Sequence, residues 1–399
     1  MNKNFSLLIT GQSFTSIGDV LYMVGIISTI FGLTGSATAA SFVPFTITSS
    51  MFISSLLTPL LIGKVNLKWL LAGSQVGKTM VIVGLGLLLP EISGANYYLI
   101  FIIISGIAFL EGCANPIKQT LIPQYVEPNN LIRANGIAET LSQFIQTVMW
   151  FISSLALVMM DTQQIVWLVF SLFVVSSILL CLLESVEQQE IEQESKLDQI
   201  KKGWSTLFYV PVLRKIAIME ILETIAETVW IAAILYVFVS EALHVGKEWW
   251  GFINGSLFLG LIIGSIYCIK NATALESKLG KVIFIGSLFS CLITIWFGVN
   301  SSPIIAILLS LGMGVFGQIK GIPQQTVIQT SVPKTKLSTI YTSLGAVSTG
   351  IFGVSSLGMG LFADLLGVRS VFLISGLMLA IVALVVYRNK HLFVRNIME

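Results

Sequence analysis

Twelve apolar runs of about 20 residues constrain this sequence more than any other feature. They lie near residues 5–31, 37–62, 69–90, 97–122, 135–158, 164–183, 213–239, 249–269, 281–299, 303–328, 338–364 and 368–387. A helix of about 20 apolar residues spans the hydrocarbon core of a bilayer. Only 11% of the 399 residues are charged, against roughly 25% in soluble domains. We therefore predict an all-α membrane protein with 12 transmembrane helices.

A polar stretch, ESVEQQEIEQESKLDQIKKGWSTLF, divides the apolar runs into six and six. It predicts a six-helix bundle over 1–183, a cytoplasmic linker over 184–212, and a second six-helix bundle over 213–399 that ends in a short tail. Segments QTLIPQYV and QTVIQTSV, 206 residues apart, end the fourth and tenth runs. This match indicates two parallel repeats, a plan common among transporters.

The distribution of basic residues predicts the orientation of the chain. With the N-terminus inside, 17 of the 22 lysines and arginines fall on the cytoplasmic side, and only Lys247 and Arg369 lie outside. Loops rich in lysine and arginine stay cytoplasmic. The first apolar run continues without a small-residue cleavage site, so we expect a retained helix and not a signal peptide. Both termini are predicted to be cytoplasmic in a bacterial inner membrane.

Composition argues against several other classes of protein. A formal net charge of +2 gives no reason to expect a nucleic-acid partner. The four cysteines each stand alone in an apolar run, so we interpret them as small core residues and expect no metal site. The sequence has no Walker loop, and its two histidines cannot assemble a catalytic triad within the membrane. We expect no enzyme activity, no catalytic residues and no cofactor.

Two segments resemble the major facilitator superfamily. They are GQSFTSIGDVLYMVGIISTIFGLTGSATAAS at 11–41 and GLFADLLGVRSVFLISG at 360–376. The resemblance covers nearly the whole chain, and it is closest to the drug-exporting branch with macrolide efflux proteins and the bacilysin exporter. It implies a two-bundle transporter that works by alternating access. It also implies that spans one, four, seven and ten line a central cavity.

The loop after the second span departs from the superfamily pattern. The superfamily has an Asp-Arg pair there, whereas this sequence has Gly63 and Lys64 in LLIGKVNLKWLL. The acidic member of the cytoplasmic gate is therefore missing, although Lys64 and Lys68 keep positive charge in the loop. Glu139, near the start of span five, is a candidate gate partner for Arg133 or Lys336. The Gly-Pro motif of neighbouring antiporter branches is also absent from span five.

Carboxylates inside the apolar runs are the best candidate functional residues, because an ionised group at mid-membrane costs about 2.5–3.5 kcal/mol. Asp19 lies about 14 residues, or roughly 21 Å, into the first span. Glu220, Glu223 and Glu227 share one face of the seventh span. Repulsion among them predicts that at least one binds a proton unless a cation intervenes. Asp19 can instead cap a helix break, and Glu220 can instead meet basic residues at the cytoplasmic surface.

Spans four and ten supply further candidates. Glu111 and Lys320 would join Asp19 and Glu227 around the cavity that the resemblance implies, although Lys320 could equally form a static pair with a glutamate that fixes helix packing. Trp230, one turn from Glu227, is a candidate for the cavity wall or a core residue. Pro116 and Pro323 occupy matching places in the two halves and predict helix bends.

These features predict a secondary transporter that exports a small amphiphilic compound, such as a drug, macrolide or peptide antibiotic. The intramembrane carboxylates predict proton antiport. The partners are then the small-molecule substrate, protons and the lipid bilayer, and we expect a monomer. Two alternatives remain open. One is an uptake permease for a nutrient or metabolite, and the other is a membrane sensor or scaffold that transports nothing.

Overall fold

The computed structural model describes residues 2–34, 37–62, 64–186, 204–230, 232–246 and 248–394. Its long helices are α1 (Lys3–Thr34), α2 (Ala37–Leu57), α3 (Leu67–Leu88), α4 (Tyr98–Tyr125), α5 (Leu131–Met159), α6 (Thr162–Cys181), α7 (Pro211–Glu227), α8 (Glu248–Lys270), α9 (Leu279–Val299), α10 (Pro303–Thr330), α11 (Lys334–Leu366) and α12 (Val368–Asn389). No β-strand occurs within these described ranges. The predicted all-α class is therefore confirmed.

The helices match the predicted membrane spans closely. Within the described residues, ten helices are long and apolar enough to cross a membrane, and an eleventh span results if α7 and its bent continuation are counted together. The remaining predicted span, near 135–158, coincides with α5, a helix of 29 residues. The predicted helix count is thus close to the observed one.

Contacts divide the chain into two compact units. One unit comprises Met1–Val126, Phe144–Gly203 and Lys334–Ala346, and the other comprises Glu127–Gln143, Trp204–Pro333 and Val347–Glu399. In the first unit α1 packs on α6, α2 on α4, and α3 on both α4 and α6. In the second unit α7 packs on α12, α8 on α10, and α9 on both α10 and α12. The same four pairings recur at a distance of six helices, as a duplicated six-helix repeat requires.

Glycines allow α8 and α10 to approach each other closely. A Cβ atom at Gly260 would collide with the carbonyl oxygen of Leu311, and one at Gly264 would lie 2.6 Å from the carbonyl oxygen of Val315. These two glycines are four residues apart and therefore lie on one helix face. Membrane helices associate through such small residues, because lipid supplies no hydrophobic drive between helices.

The seventh span is broken just after its acidic stretch. α7 ends at Glu227, and a 3₁₀ turn (Thr228–Trp230), a short helix (Ala232–Val237) and a π-helical turn (Phe238–Ala242) follow. The segments Pro211–Trp230 and Ile234–Ala242 are bent by 43°. At the break, the Thr228 hydroxyl donates to the carbonyl oxygen of Ile225 at 2.6 Å, a side-chain bond that competes with the helical ladder.

The far end of this span is held by Arg369 of α12. Its guanidinium donates to the carbonyl oxygens of Gly298 at 3.0 Å, Asn300 at 2.8 Å and Ala242 at 3.0 Å. These carbonyls end α9 and the π-helical turn, so they lack partners of their own. One side chain thereby joins three helical segments of the second unit.

We expect Gly260→Ala to destabilise the protein by about 1–3 kcal/mol, because the added methyl group must force α8 away from α10. Gly255→Ala is the matched control on the same helix, since a Cβ at that position meets no described atom within 4 Å. Thermal unfolding of the purified protein, followed by tryptophan fluorescence, measures both effects. Equal destabilisation by the two substitutions would contradict the close-packing interpretation.

Candidate functional site

Each unit buries one lysine among carboxylates in the middle of its helices. The Lys78 cluster consists of Asp19 on α1, Lys78 on α3 and Glu111 on α4. The Lys320 cluster consists of Glu223 and Glu227 on α7 and Lys320 on α10. An ionised side chain at membrane depth normally pairs or faces a polar cavity, and these clusters meet that requirement by pairing.

In the Lys78 cluster, one ammonium group serves two acids. The Lys78 Nζ lies 2.8 Å from Asp19 Oδ1, 3.0 Å from Asp19 Oδ2 and 2.6 Å from Glu111 Oε2. The Lys78 side chain is fully buried, whereas Asp19 and Glu111 are 27% and 19% exposed. The Phe173 ring covers the ammonium at 5.0 Å. The lysine is thus sealed, and both carboxylates stay partly accessible.

Hydroxyl and amide groups hold the helices around the Lys78 cluster in register. Thr15, one turn before Asp19, donates to Gln75 Oε1 at 3.0 Å, and its hydroxyl lies 2.7 Å from that of Ser176. Gln75 precedes Lys78 by one turn of α3. These buried bonds connect α1, α3 and α6, so they determine which faces of α1 and α3 meet.

In the Lys320 cluster, the two acids differ sharply in burial. The Lys320 Nζ lies 3.1 Å from Glu223 Oε1 and 3.4 Å from Glu227 Oε1. The Glu223 side chain is 8% exposed, whereas the Glu227 side chain is 52% exposed. Glu220, half-buried, lies one turn before Glu223. Glu227 is therefore the open carboxylate of this cluster.

Close helix packing places Lys320 against α9. A Cβ atom at Gly286 would lie 2.8 Å from the Cβ of Lys320 and 2.9 Å from its backbone nitrogen. The absence of a side chain at Gly286 lets the α10 backbone press against α9. Lys320 then extends toward α7, where the two glutamates lie.

Both clusters carry more negative than positive charge when every group is ionised. Each has two carboxylates and one ammonium, and Glu220 adds a third acid beside the Lys320 cluster. Like charges close together in a medium of low dielectric repel strongly. A proton or a cation that joins either cluster relieves this repulsion. Reversible binding of such a species is the chemistry that the arrangement can perform.

Five of the six cluster residues were predicted from the sequence, and Lys78 was not. Within the first unit Asp19 and Glu111 share Lys78, and within the second unit Glu227 shares Lys320 with Glu223. That Asp19, Glu111, Glu227 and Lys320 surround one space stays a prediction. The missed signal was a charged residue in the middle of an otherwise apolar helix, LKWLLAGSQVGKTMVIVGLGLL. Burying an ionised lysine at membrane depth is as costly as burying an ionised acid, so Lys78 was equally a candidate functional residue.

The candidate gate residues occupy varied surroundings. Lys64 and Arg133 are exposed, whereas Lys68 is buried with its ammonium 4.4 Å from the Trp69 ring centroid. Glu139 Oε1 accepts hydrogen bonds from the Gln143 amide at 2.6 Å and the Gln318 amide at 3.2 Å. Gly63, the other unusual loop residue, lies outside the described residues.

An amide pair that the sequence did not predict connects α5 and α10. Asn135 Nδ2 donates to Gln329 Oε1 at 2.7 Å, and Gln329 Nε2 donates back to Asn135 Oδ1 at 3.2 Å. Asn135 also lies 3.3 Å from the Thr326 hydroxyl. The asparagine and glutamine are 1% and 4% exposed. A reciprocal amide pair satisfies both buried groups without charge.

Trp230 lies in an aromatic cluster with three phenylalanines. Its ring centroid is 4.7 Å from Phe297 and 5.8 Å from Phe372, and the Phe238 ring packs at a tilt against both phenylalanines. Trp230 is 7% exposed, so it packs in the core of the second unit close to the break in span seven.

The two candidate bend prolines lie inside long helices. Pro116 belongs to α4 and Pro323 to α10, and both are buried. Each helix continues through its proline. Their role as bends stays a prediction.

Comparisons with known proteins agree with this architecture. A sequence profile described as Major Facilitator Superfamily matches residues 7–356. The uncharacterized MFS-type transporter YfmI of Bacillus subtilis (strain 168) is 31% identical over 388 residues, which cover 96% of each chain.

Solved structures are similar in fold at low sequence identity. The transporter FucP in the outward conformation has a TM-score of 0.76 at 14% identity and covers 96% of this chain and 98% of its own. An outward-facing bacterial homologue of the iron transporter ferroportin has a TM-score of 0.74 at 13% identity and covers 97% and 99%. At these identities the structures establish the fold, and they confirm the predicted fold class.

Replacing Lys78 with methionine should destabilise the protein by about 3–5 kcal/mol, because it leaves Asp19 and Glu111 as neighbouring carboxylates without a cation. The triple variant Lys78→Met, Asp19→Asn, Glu111→Gln should recover most of this loss, since no uncompensated charge remains. Thermal unfolding and size-exclusion profiles of the purified variants provide the measurement.

The matched control for this series is Lys64→Met, which removes an exposed positive charge near the start of the same helix. It should leave stability within about 0.5 kcal/mol of wild type. If the triple variant were no more stable than Lys78→Met, charge pairing would not be what Lys78 contributes.

Proposed function

Because this chain belongs to the Major Facilitator Superfamily, it is a multi-pass transporter of the cell membrane and not an enzyme, and we propose that it exports a small amphiphilic compound in exchange for protons. The observation that carries the proposal is the half-exposed Glu227 beside a buried lysine and a second acid. A carboxylate in such a place can be accessible to protons and coupled to its neighbours at the same time.

The exchange follows from competition at Glu227. When a proton neutralises Glu227, its attraction for Lys320 weakens, and Glu223 remains the partner of the lysine. When the proton leaves, the restored carboxylate again attracts a positive group, either Lys320 or part of the cargo. Proton and cargo then occupy the cluster in turn, which is the requirement for antiport. Asp19 is the corresponding accessible acid of the Lys78 cluster.

Alternating access also needs a gate that opens, and we assign the predicted cytoplasmic gate to the amide pair of Asn135 and Gln329. An amide pair carries no net charge, so separating its members costs less than separating a buried ion pair. An uncharged gate is consistent with the loop after the second span, which lacks the superfamily's Asp-Arg pair. Glu139 and Gln318 form a second polar contact on the same two helices.

Uptake by symport is the second candidate function. FucP, one of the structurally similar transporters, is named a fucose:proton symporter, and the same fold therefore serves import coupled to protons. The same carboxylates would then bind proton and cargo together. The two functions differ in the direction in which the cargo moves relative to the proton: opposite to it in antiport and with it in symport.

We expect everted membrane vesicles to accumulate ethidium or a macrolide when a proton gradient is imposed, and to stop when the gradient is collapsed. Glu227→Gln should lower the gradient-dependent uptake at least tenfold, since the amide cannot exchange a proton. Glu241→Gln is the control on the continuation of the same span, at an exposed carboxylate. Uptake that ignores the gradient in wild type, or full activity in Glu227→Gln and Asp19→Asn, would refute proton antiport.

If the amide pair is the gate, breaking it should change how fast the thiol of Cys268 is alkylated. Cys268 is fully buried on α8, and its sulfur lies 3.8 Å from the carbonyl oxygen of Gln318 on α10. Asn135→Ala leaves the Gln329 amide buried without its partner, at a cost of about 1–3 kcal/mol. The α5–α10 contact should then open more often, and alkylation of Cys268 by N-ethylmaleimide should accelerate about tenfold.

This measurement uses a protein in which the other three cysteines are replaced by serine. Asn271→Ala, three residues from Cys268, removes a half-buried amide that donates only to the carbonyl oxygen of Tyr267 one turn earlier, so it should leave the alkylation rate unchanged. An unchanged rate in Asn135→Ala would remove the amide pair from the gate.

A further inference from the structure

The polar atoms that remain open around the Lys320 cluster are hydrogen-bond acceptors. Glu227 is half exposed, and its contact with Lys320, at 3.4 Å, is the longer of the two ion pairs. Ionised carboxylates accept hydrogen bonds and donate none. The open side of this cluster therefore offers negative charge and acceptor oxygens.

Gln324 provides a second, independent observation. It lies one turn after Lys320 on α10, is 6% exposed, and its side chain hydrogen-bonds to Glu223. Because an ionised carboxylate can only accept, the amide nitrogen of Gln324 is the donor in that bond. Its Oε1 atom is buried and has no hydrogen-bond partner within the described part of the chain. A buried acceptor without a donor is costly unless a ligand supplies one.

The charge balance points in the same direction as the open acceptors. Glu220, Glu223 and Glu227 face one lysine, so the group carries two negative charges when all are ionised. Lys320 is held by Glu223 and reaches Glu227 weakly. A ligand that brings one positive charge and N–H donors would halve this excess of negative charge and satisfy the open acceptors.

We infer that the transported compound carries a protonated amine, which Glu227 binds by charge and to which Gln324 Oε1 accepts a hydrogen bond. This inference rests on the proposed function in that it places cargo at the Lys320 cluster, and it names the chemical class of that cargo. The apolar remainder of an amphiphilic amine lies along the surrounding membrane helices. A neutral or anionic compound finds no matching donor or cation there, because Lys320 is already paired.

A divalent metal ion fits the cluster less well. Among the residues that the structure describes, no group of three or more His, Cys, Asp or Glu side chains could hold a metal ion. The Lys320 ammonium, within 3.4 Å of both carboxylates, would also repel a dication. A quaternary ammonium supplies charge without N–H groups, so it meets only part of the requirement.

Three matched probes separate these chemistries. They are 1-naphthylmethylamine, which is protonated at pH 7, its N,N,N-trimethylammonium derivative, and uncharged 1-naphthylmethanol. Calorimetric titration of the purified full-length protein measures their affinities without any pH gradient. We expect the primary amine to bind at least tenfold more tightly than the alcohol and several-fold more tightly than the quaternary derivative.

Variants assign the recognition to named atoms. Glu227→Gln should weaken binding of the amine at least tenfold, and Gln324→Leu should remove the preference for the primary amine over the quaternary derivative. Glu241→Gln should leave all three affinities unchanged. Glu227→Asp, which keeps the charge, should retain the preference for the amine over the alcohol, and thermal unfolding of every variant checks that each is folded.

Three outcomes overturn the inference: no amine binding to folded wild type, equal affinity for amine and alcohol, or amine binding that Glu227→Gln leaves intact. A thermal stabilisation by Mn²⁺ that the amine does not reproduce would assign the cluster to metal instead. Because titration involves no transport, amine binding without proton-dependent flux would refute antiport and keep this inference. Proton-dependent flux of a neutral macrolide without amine binding would do the reverse.

Discussion

Pairs of opposite charge inside the membrane-spanning helices hold neighbouring helices together in both units. Moving one ionised side chain to mid-membrane costs about 2.5–3.5 kcal/mol, and a lysine buried alone would not persist. Lys78 and Lys320 are each held by two carboxylates from neighbouring helices or turns. These pairs determine how α1, α3 and α4 meet in one unit and how α7 and α10 meet in the other. The surplus of carboxylate that they leave is the chemistry available for function.

The two units share a packing plan but differ in their chemistry. The same four helix pairings recur after six helices, which is the mark of a duplicated bundle. The buried lysines do not follow this repeat: one lies on α3 and the other on α10, whose repeat partners are α9 and α4. The packing of the helices depends on small residues and apolar surface, so the buried lysine can lie on a different helix of each repeat without changing the helix pairings. The carboxylates that pair with the lysine therefore also come from different helices in the two units.

The break in span seven connects local backbone structure to the cluster. Regular helix ends at Glu227, and the following turn bends the span by 43°. Arg369 holds the far end, and the aromatic cluster around Trp230 packs the turn itself. π-helical and 3₁₀ segments inside membrane helices often mark functional positions. Here the irregular segment begins at the more exposed acid of the Lys320 cluster, so backbone irregularity and open charge coincide.

Local composition is enough to predict the class of the protein, the limits of nearly all its helices and five of the six clustered charges, because bilayer thickness and the cost of buried charge act on short stretches of the chain. It could not determine which charges meet. Asp19 and Glu111 are 92 residues apart and meet through Lys78, which depends on how three helices rotate and pack. The break after Glu227 and the amide pair of Asn135 and Gln329 likewise depend on how the folded chain packs. Both arise from contacts between distant segments, and no local pattern of apolar residues records them.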